Sequence, residues 1–261
     1  MNNLTGGRVG ADVHCHVAEP ILTGPMLRRA GEAGIARLVL TAAKPGDFPI
    51  LAHFKGQKSG LPELWPAFGI HPWKIKSATE NDFLELFRRL ESDPNAWVGE
   101  IGLDFAIRHL DAPQKEGQKE AFRRQLAMAS RLNRPVVVHS VRATGETLRE
   151  LARWDKIGLI LLHGFAENIP PELFEPIAEK TYFSFSARNV NQSNHKARQT
   201  IERVPIERIL LESDWPSTGS EPAQLTTTAE EIASIRQISS EEFFARLREN
   251  EERFFQQWQR R

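Results

Sequence analysis

Residues 11–17 read ADVHCHV, a short apolar run in which two histidines alternate with other residues. Successive side chains of a β-strand point to opposite faces, so His14 and His16 share one face of this strand. Val13 and Cys15 are then expected to face the other side, towards covering helices. Two imidazoles on one face at the end of a strand indicate a chemical site there, although such a pair can also be structural.

Seven further short apolar runs follow, and longer amphipathic segments separate them. This alternation is typical of βαβ units, and eight units in 261 residues match the size of a (β/α)8 barrel. An open doubly wound sheet is the alternative, but it usually has a glycine-rich loop after its first strand. Residues 15–20, CHVAEP, contain no glycine. We therefore predict an α/β fold, a (β/α)8 TIM barrel formed by residues 1–261 as a single domain.

The boundaries of the elements follow from the same pattern. The predicted strands are Ala11–Val17, Arg37–Thr41, Leu64–Ile70, Ala96–Leu103, Pro135–His139, Leu159–His163, Thr181–Ser186 and Arg208–Glu212. The predicted helices are Pro25–Ala33, Phe48–Lys58, Asn81–Glu91, Gln118–Leu132, Thr144–Trp154, Pro171–Lys180, His195–Arg203 and Ser239–Trp258.

The composition limits the classes of protein that the chain can belong to. Lys and Arg total 34 and Asp and Glu total 34, so binding to nucleic acid would require a local basic patch. Cys15 is the single cysteine, which excludes an internal disulfide and fits a reducing cytoplasm. No run approaches the ~18 apolar residues of a membrane span, and the N-terminus does not read as a signal peptide. We expect a cytoplasmic protein that does not cross a membrane.

Histidines and carboxylates collect at the ends of the predicted strands. The strand ends hold five of the eight histidines, and two strands add Glu100 and Asp214. The carboxyl ends of the strands form the active site of such a barrel, and imidazole with carboxylate is a ligand set for divalent metals. Each of these residues alone could be a core histidine or a turn residue, but together they predict a metal centre. The five histidines are His14, His16, His71, His139 and His163.

The motifs at these strand ends resemble the TatD family of metal-dependent deoxyribonucleases, in matching order over residues 12 to about 255. The motifs are Asp12 with His14 and His16; residues 69–72, GIHP; residues 99–104, GEIGLD; His139 with Arg142; residues 163–165, HGF; residues 212–216, ESDWP; and residues 250–255, NEERFF. Two motifs depart from the family pattern. Glu167 replaces the glycine of the usual His-Cys-Phe-x-Gly motif, and Ser213 replaces a threonine. Residues 182–186, YFSFS, also indicate a divergent branch.

The resemblance implies two divalent ions, with Zn²⁺, Mn²⁺, Fe²⁺ and Mg²⁺ all compatible with the ligands. His14, His16 and Asp214 would hold one ion, His139 and His163 the other, and Glu100 would bridge them. A bridging hydroxide would then attack phosphorus, with Glu100, Asp214 and His71 as catalytic residues. The expected substrate is single-stranded or frayed DNA, digested from its 3′ end. The alternative is hydrolysis of an ester or amide, as in an aminoacyl-tRNA deacylase or an amidohydrolase, because the fold does not decide the substrate.

Three residues near these strand ends are candidates for binding the substrate. Arg142 could clamp a phosphate, and Trp73 and Trp215 could stack on a base. The alternatives are a helix-start role for Arg142 and loop packing for both tryptophans. Asp12 and Glu212 are expected to support the ligands from deeper in the barrel.

Overall fold

The computed structural model describes residues 9–17, 20–54 and 61–259. Eight parallel strands pair in chain order. They are β1 (Ala11–His16), β2 (Arg37–Thr41), β3 (Glu63–Phe68), β4 (Trp97–Asp104), β5 (Val136–Val141), β6 (Ile160–Leu162), β7 (Thr181–Phe185) and β8 (Ile209–Leu211). The backbone N–H of Asp214 donates to His14 O at 3.0 Å, and that of His16 donates to Trp215 O at 2.8 Å. These bonds join the end of β8 to β1, so the sheet forms the nearly closed barrel that the sequence predicts.

Helices connect the strands and cover the outside of the barrel. They are α1 (Pro20–Glu32), α2 (Phe48–Phe54), α3 (Glu80–Ser92), α4 (Ala112–Leu132), α5 (Thr144–Leu151), α6 (Pro171–Phe174), α7 (Ala187–Val190), α8 (His195–Arg203), α9 (Leu225–Ile235) and α10 (Ser240–Gln259). The sequence-based expectations omitted α7 and α9 and began α4 six residues too late. Residues 55–58 of the predicted helix Phe48–Lys58 lie outside the described residues.

The interior of the barrel is filled at its amino-terminal end by aromatic side chains. Trp65, Trp97 and Tyr182 belong to one buried cluster, to which α10 contributes three aromatic residues. The ring of Phe254 from α10 lies 5.2 Å from that of Trp97 and 5.1 Å from that of Tyr182, between centroids. Because α10 closes this end of the barrel, the open mouth is at the carboxyl ends of the strands.

The first strand departs from strict alternation. Between the pairs Asp12↔Leu38 and Cys15↔Leu40, β1 advances three residues while β2 advances two. Cys15 packs in the outer cluster beneath the helices, but Val13 packs in the inner cluster. The expectation that Val13 faces the helices was therefore wrong, because the additional residue in β1 reverses the facing of the side chains within this stretch.

Candidate metal centre

Six polar side chains meet at the mouth of the barrel around one buried carboxylate, that of Glu100. Glu100 lies on β4 with its side chain 1% exposed. The structure brings to it all six side chains that the sequence predicts at the centre with it: His14, His16, His71, His139, His163 and Asp214.

The two oxygens of Glu100 contact different groups of histidines. Oε1 lies 2.6 Å from His163 Nε2, 2.8 Å from His139 Nδ1 and 3.3 Å from His71 Nε2. Oε2 lies 3.1 Å from His16 Nε2 and 3.8 Å from His14 Nε2. A carboxylate shared in this way by two sets of donor atoms has the arrangement needed to bridge two ions.

Asp214 completes the set on the Oε2 side. Its Oδ1 atom lies 3.6 Å from His16 Nε2 and 3.9 Å from His14 Nε2. Asp214 adopts a positive φ of 48°, which is uncommon for a residue other than glycine. Its backbone N–H donates to His14 O. The loop after β8 is thus held against β1, and this contact places the carboxylate beside both histidines.

Local irregularity in β4 brings Glu100 into the site. Between the pairs Val98↔Val136 and Ile101↔Val138, β4 advances three residues while β5 advances two, as β1 does around His14. Gly102 follows with a φ of 139°, and a Cβ atom at this position would lie 2.0 Å from His139 O. A larger residue at position 102 would therefore displace the strand that carries His139.

The charges in the cluster shift one another's pKa values. Burial alone would raise the pKa of Glu100, but the surrounding histidines hold it well below its usual range. Burial and the neighbouring imidazoles lower the pKa of His14 well below normal, which keeps this side chain neutral. Burial opposes protonation of His163 too, but Glu100 and Glu212 raise its pKa well above normal. The centre therefore combines an ionised carboxylate with imidazoles, and both groups are ligands for divalent metal ions.

The donor atoms fit divalent metal ions. Three groups of side chains each have their ligand atoms within 4.8 Å of one another: His14 with His16 and Asp214, His14 with Glu100 and His163, and His71 with Glu100 and His139. Among the described residues, the buried atoms His14 Nε2 and Glu100 Oε2 have no hydrogen-bond partner. Leaving such atoms unpaired is costly, and coordination to a metal would satisfy both of them. The donor atoms therefore suit a divalent ion, and several divalent ions are compatible with this ligand set.

His71 differs from the other histidines at the centre. Its Nδ1 atom accepts a hydrogen bond from Trp73 N at 3.1 Å, so in the neutral ring the proton lies on Nε2. That proton faces Glu100 Oε1 at 3.3 Å. In this tautomer His71 acts as a donor at the edge of the centre, and its Nε2 cannot bind an ion.

Two further carboxylates, those of Glu212 and Asp12, contact the histidines or their backbone. Glu212 Oε1 lies 3.6 Å from His163 Nδ1, and Glu212 Oε2 accepts a hydrogen bond from Ser184 Oγ at 2.5 Å. Asp12 Oδ1 accepts from the backbone N–H groups of His14 and Ser213, each at 3.1 Å, and burial raises the pKa of Asp12 to about 7. Both residues thus lie in the supporting positions that the sequence predicts for them.

Sequence reasoning missed Asp104 as a supporting residue. Its Oδ2 atom lies 3.2 Å from His139 Nε2 and accepts from Trp73 Nε1 at 2.6 Å. Burial would raise the pKa of Asp104, but these hydrogen bonds lower it below normal, so the ionised carboxylate is the acceptor in both. The available signal was its position at the end of residues 99–104, GEIGLD, on the same strand as Glu100.

The candidate substrate residues differ in their exposure. Trp73 is 63% exposed, whereas Trp215 is 9% exposed and packs in the outer core, as its loop-packing alternative requires. Arg142 is exposed, with a φ of 51°, and its backbone N–H donates to the Glu167 carboxylate. Glu167 also accepts from Thr144 Oγ1. The glutamate that replaces the family's glycine therefore holds the turn that carries Arg142.

Comparison with known proteins agrees with this geometry. The family model described as TatD related DNase matches residues 11–256. Deoxyribonuclease TATDN3 of Homo sapiens is 30% identical over 88% of this chain and 89% of its own length. The 3′-5′ ssDNA/RNA exonuclease TatD of Erwinia tasmaniensis is 27% identical over 88% and 92%, respectively. The crystal structure of YjjV, a TatD homologue of Escherichia coli, superimposes with a TM-score of 0.81 at 26% identity, over 95% of this chain and 97% of that one.

No helix among the described residues is long and apolar enough to cross a membrane. The family model spans nearly the whole chain, and the motifs that it covers supply every side chain gathered around Glu100. The chain therefore belongs to the TatD-related DNase family of hydrolases.

Proposed function

We propose that this protein hydrolyses phosphodiester bonds in single-stranded DNA, from the 3′ end, with two divalent ions at the Glu100 centre. The observation that carries the proposal is the division of the Glu100 carboxylate, with Oε1 against His139 and His163 and Oε2 against His14 and His16. The direction of digestion is taken from the name of the Erwinia tasmaniensis relative. A cytoplasmic location is part of the same proposal and rests on the single cysteine.

His14, His16 and Asp214 would hold one ion, His139 and His163 the other, and Glu100 would contact both. When bound, the ions would supply Lewis-acid polarisation of a phosphoryl oxygen and a more acidic water. The roles of the individual side chains follow from their positions. Asp214 lies on the Oε2 side of Glu100 with its side chain 12% exposed, where it can accept a proton from the attacking water.

His71 lies on the Oε1 side, with the Nε2 proton directed towards Glu100. A proton donor at this place can hydrogen-bond a phosphate oxygen or the departing 3′ oxygen. Asp214 and His71 therefore stand at different oxygens of the same carboxylate. A phosphate lying across Glu100 would have a proton acceptor at one edge and a proton donor at the other.

The test measures metal content and cleavage together. Metal-stripped protein is refilled with Mg²⁺, Mn²⁺ or Zn²⁺ and incubated with 5′-labelled single-stranded DNA, beside Glu100→Gln and the exposed control Glu63→Gln at the far end of the barrel. We expect progressively shortened labelled fragments from wild type and control, and loss of at least one ion and of cleavage in Glu100→Gln.

Two outcomes would overturn the proposal. Full metal content and full activity in Glu100→Gln would contradict the bridging role of Glu100. A protein that binds two ions, leaves DNA intact and hydrolyses aminoacyl or amide substrates would instead be an ester or amide hydrolase.

A further inference from the structure

A cavity of about 350 Å³ opens beside the metal centre, between the segment after β3 and the loop after β4. Its volume lies at the lower end of the roughly 300–1,000 Å³ typical of small-molecule sites. The cavity adjoins the centre, because one of its lining residues, Asp104, contacts His139 directly. The lining residues are Trp73, Asp104, Ala106, Ile107 and Arg108.

Trp73 forms a wall of this cavity and is exposed but not free to move. Its side chain is 63% exposed. Among the described residues, Leu84 is the other exposed large apolar side chain, and it is 45% exposed. The indole N–H donates to Asp104 at 2.6 Å, and the ring meets His71 edge-on with centroids 5.2 Å apart. A ring that is held in place and open to solvent loses little conformational entropy when a planar group stacks on it.

Arg108 lines the other side of the cavity and is exposed. Among the described residues, no hydrogen bond or ion pair is formed by its guanidinium. Lys74 and Lys76 follow Trp73 in the same short 3-10 helix and are also exposed. Although the chain has no net charge, this rim is locally basic and suits a phosphate.

These features combine an aromatic plane, a free guanidinium and contact with a metal ligand in one cavity. We propose that the cavity is a subsite for one nucleotide next to the scissile phosphate, with its base stacked on Trp73 and its other phosphate bound by Arg108. The inference rests on the proposed nuclease function and deepens it. Asp104, which contacts both Trp73 and His139, would then fix the position of the stacking ring relative to the metal centre.

The experiment removes one base at a time from the substrate. In a short 5′-labelled oligothymidine, each residue in turn is replaced by an abasic residue, and kcat/KM is measured for wild type and Trp73→Ala. For wild type we expect a loss of about fivefold or more when the abasic residue occupies the subsite. For Trp73→Ala, kcat/KM on the intact strand should already be lower than that of wild type by the same factor. Placing the abasic residue in the subsite should then cause no further decrease in the kcat/KM of the variant. Leu84→Ala is the matched control for an exposed apolar side chain.

Arg108 is tested by the salt dependence of binding to oligothymidine. Arg108→Ala should reduce the slope of log K against log salt concentration by about 0.7, as loss of one phosphate contact on a single strand does. Arg248→Ala removes an exposed arginine from α10, which closes the other end of the barrel, and should leave the slope unchanged.

The outcomes separate the subsite from the function. Cleavage of the intact strand with equal abasic penalties in wild type and Trp73→Ala would overturn the stacking role alone. An unchanged salt slope in Arg108→Ala would overturn the phosphate contact. Absence of metal-dependent cleavage of any strand would overturn the proposed function and the subsite together.

Discussion

Asp104 accepts a hydrogen bond from His139, with 3.2 Å between Asp104 Oδ2 and His139 Nε2. Because the Asp104 carboxylate is ionised, Nε2 of His139 carries a proton, and Nδ1, which lies 2.8 Å from Glu100 Oε1, is the ring nitrogen that a neutral imidazole offers to an ion. A carboxylate that fixes the tautomer and orientation of a histidine in this way makes the histidine a stronger metal ligand.

Replacing Asp104 should therefore weaken metal binding at the His139 and His163 side of the centre. For Asp104→Asn we expect roughly 10- to 100-fold lower affinity for one of two Mn²⁺ ions, with the other ion retained. The measurement is a Mn²⁺ titration by calorimetry, which does not depend on activity. Asp155→Asn changes an exposed aspartate to asparagine and serves as the control. Two unchanged affinities in Asp104→Asn would show that this hydrogen bond does not support the ligand.

Asp104 also illustrates what the sequence could not provide. All eight strands follow from apolar runs, and the six side chains around Glu100 follow from their places at strand ends. The role of Asp104 depends on the pairing of β4 with β5, which places it near His139, and no local pattern encodes that pairing. The tryptophans show the same limit, because only tertiary packing decides that Trp73 is exposed and Trp215 is buried.

Helix α9 was missed for a different reason. Its sequence, LTTTAEEIASI, has three threonines directly after Leu225, and threonine is a poor helix former because of its β-branched side chain. Leu225, Ala229 and Ile232 are buried on one face of this helix. Packing of that face stabilises the helix despite its low intrinsic propensity.

The second prediction concerns Glu251, a buried carboxylate at the closed end of the barrel. Burial raises its pKa to about 8, although the backbone N–H groups of Gly10 and Ala11 donate to it and oppose the shift. The usual pKa of 4.5 applies in the unfolded chain, so between about pH 5 and pH 8 the folded state binds the additional proton. The free energy of unfolding should then fall with rising pH by up to ~1.4 kcal/mol per pH unit from this group.

Glu251→Gln removes the titration while preserving the shape of the side chain. Urea unfolding of wild type and variant across this pH range gives the difference in unfolding free energy, in which contributions from the other titrating groups cancel. We expect the difference to change in favour of the variant as pH rises. Glu252→Gln, at the exposed neighbouring position, should leave the pH dependence of wild type intact. Parallel pH profiles for wild type and Glu251→Gln would contradict the raised pKa.

The third prediction concerns Arg142, whose backbone is held by Glu167 while its side chain stays exposed and forms no ion pair among the described residues. A charge-assisted hydrogen bond from this guanidinium to a substrate phosphate is worth about 1.5–3 kcal/mol, so Arg142→Ala should raise KM for single-stranded DNA about tenfold or more. The content of both ions should be unchanged, because among the described residues no hydrogen bond or ion pair joins the Arg142 side chain to the groups around Glu100. Arg142→Lys keeps the charge but loses the bidentate fork, and its KM should lie between those of wild type and Arg142→Ala.

The exposed Arg149 on the following helix provides the control Arg149→Ala. If Arg142→Ala and Arg149→Ala have the same KM as wild type, Arg142 serves the turn before α5 and not the substrate.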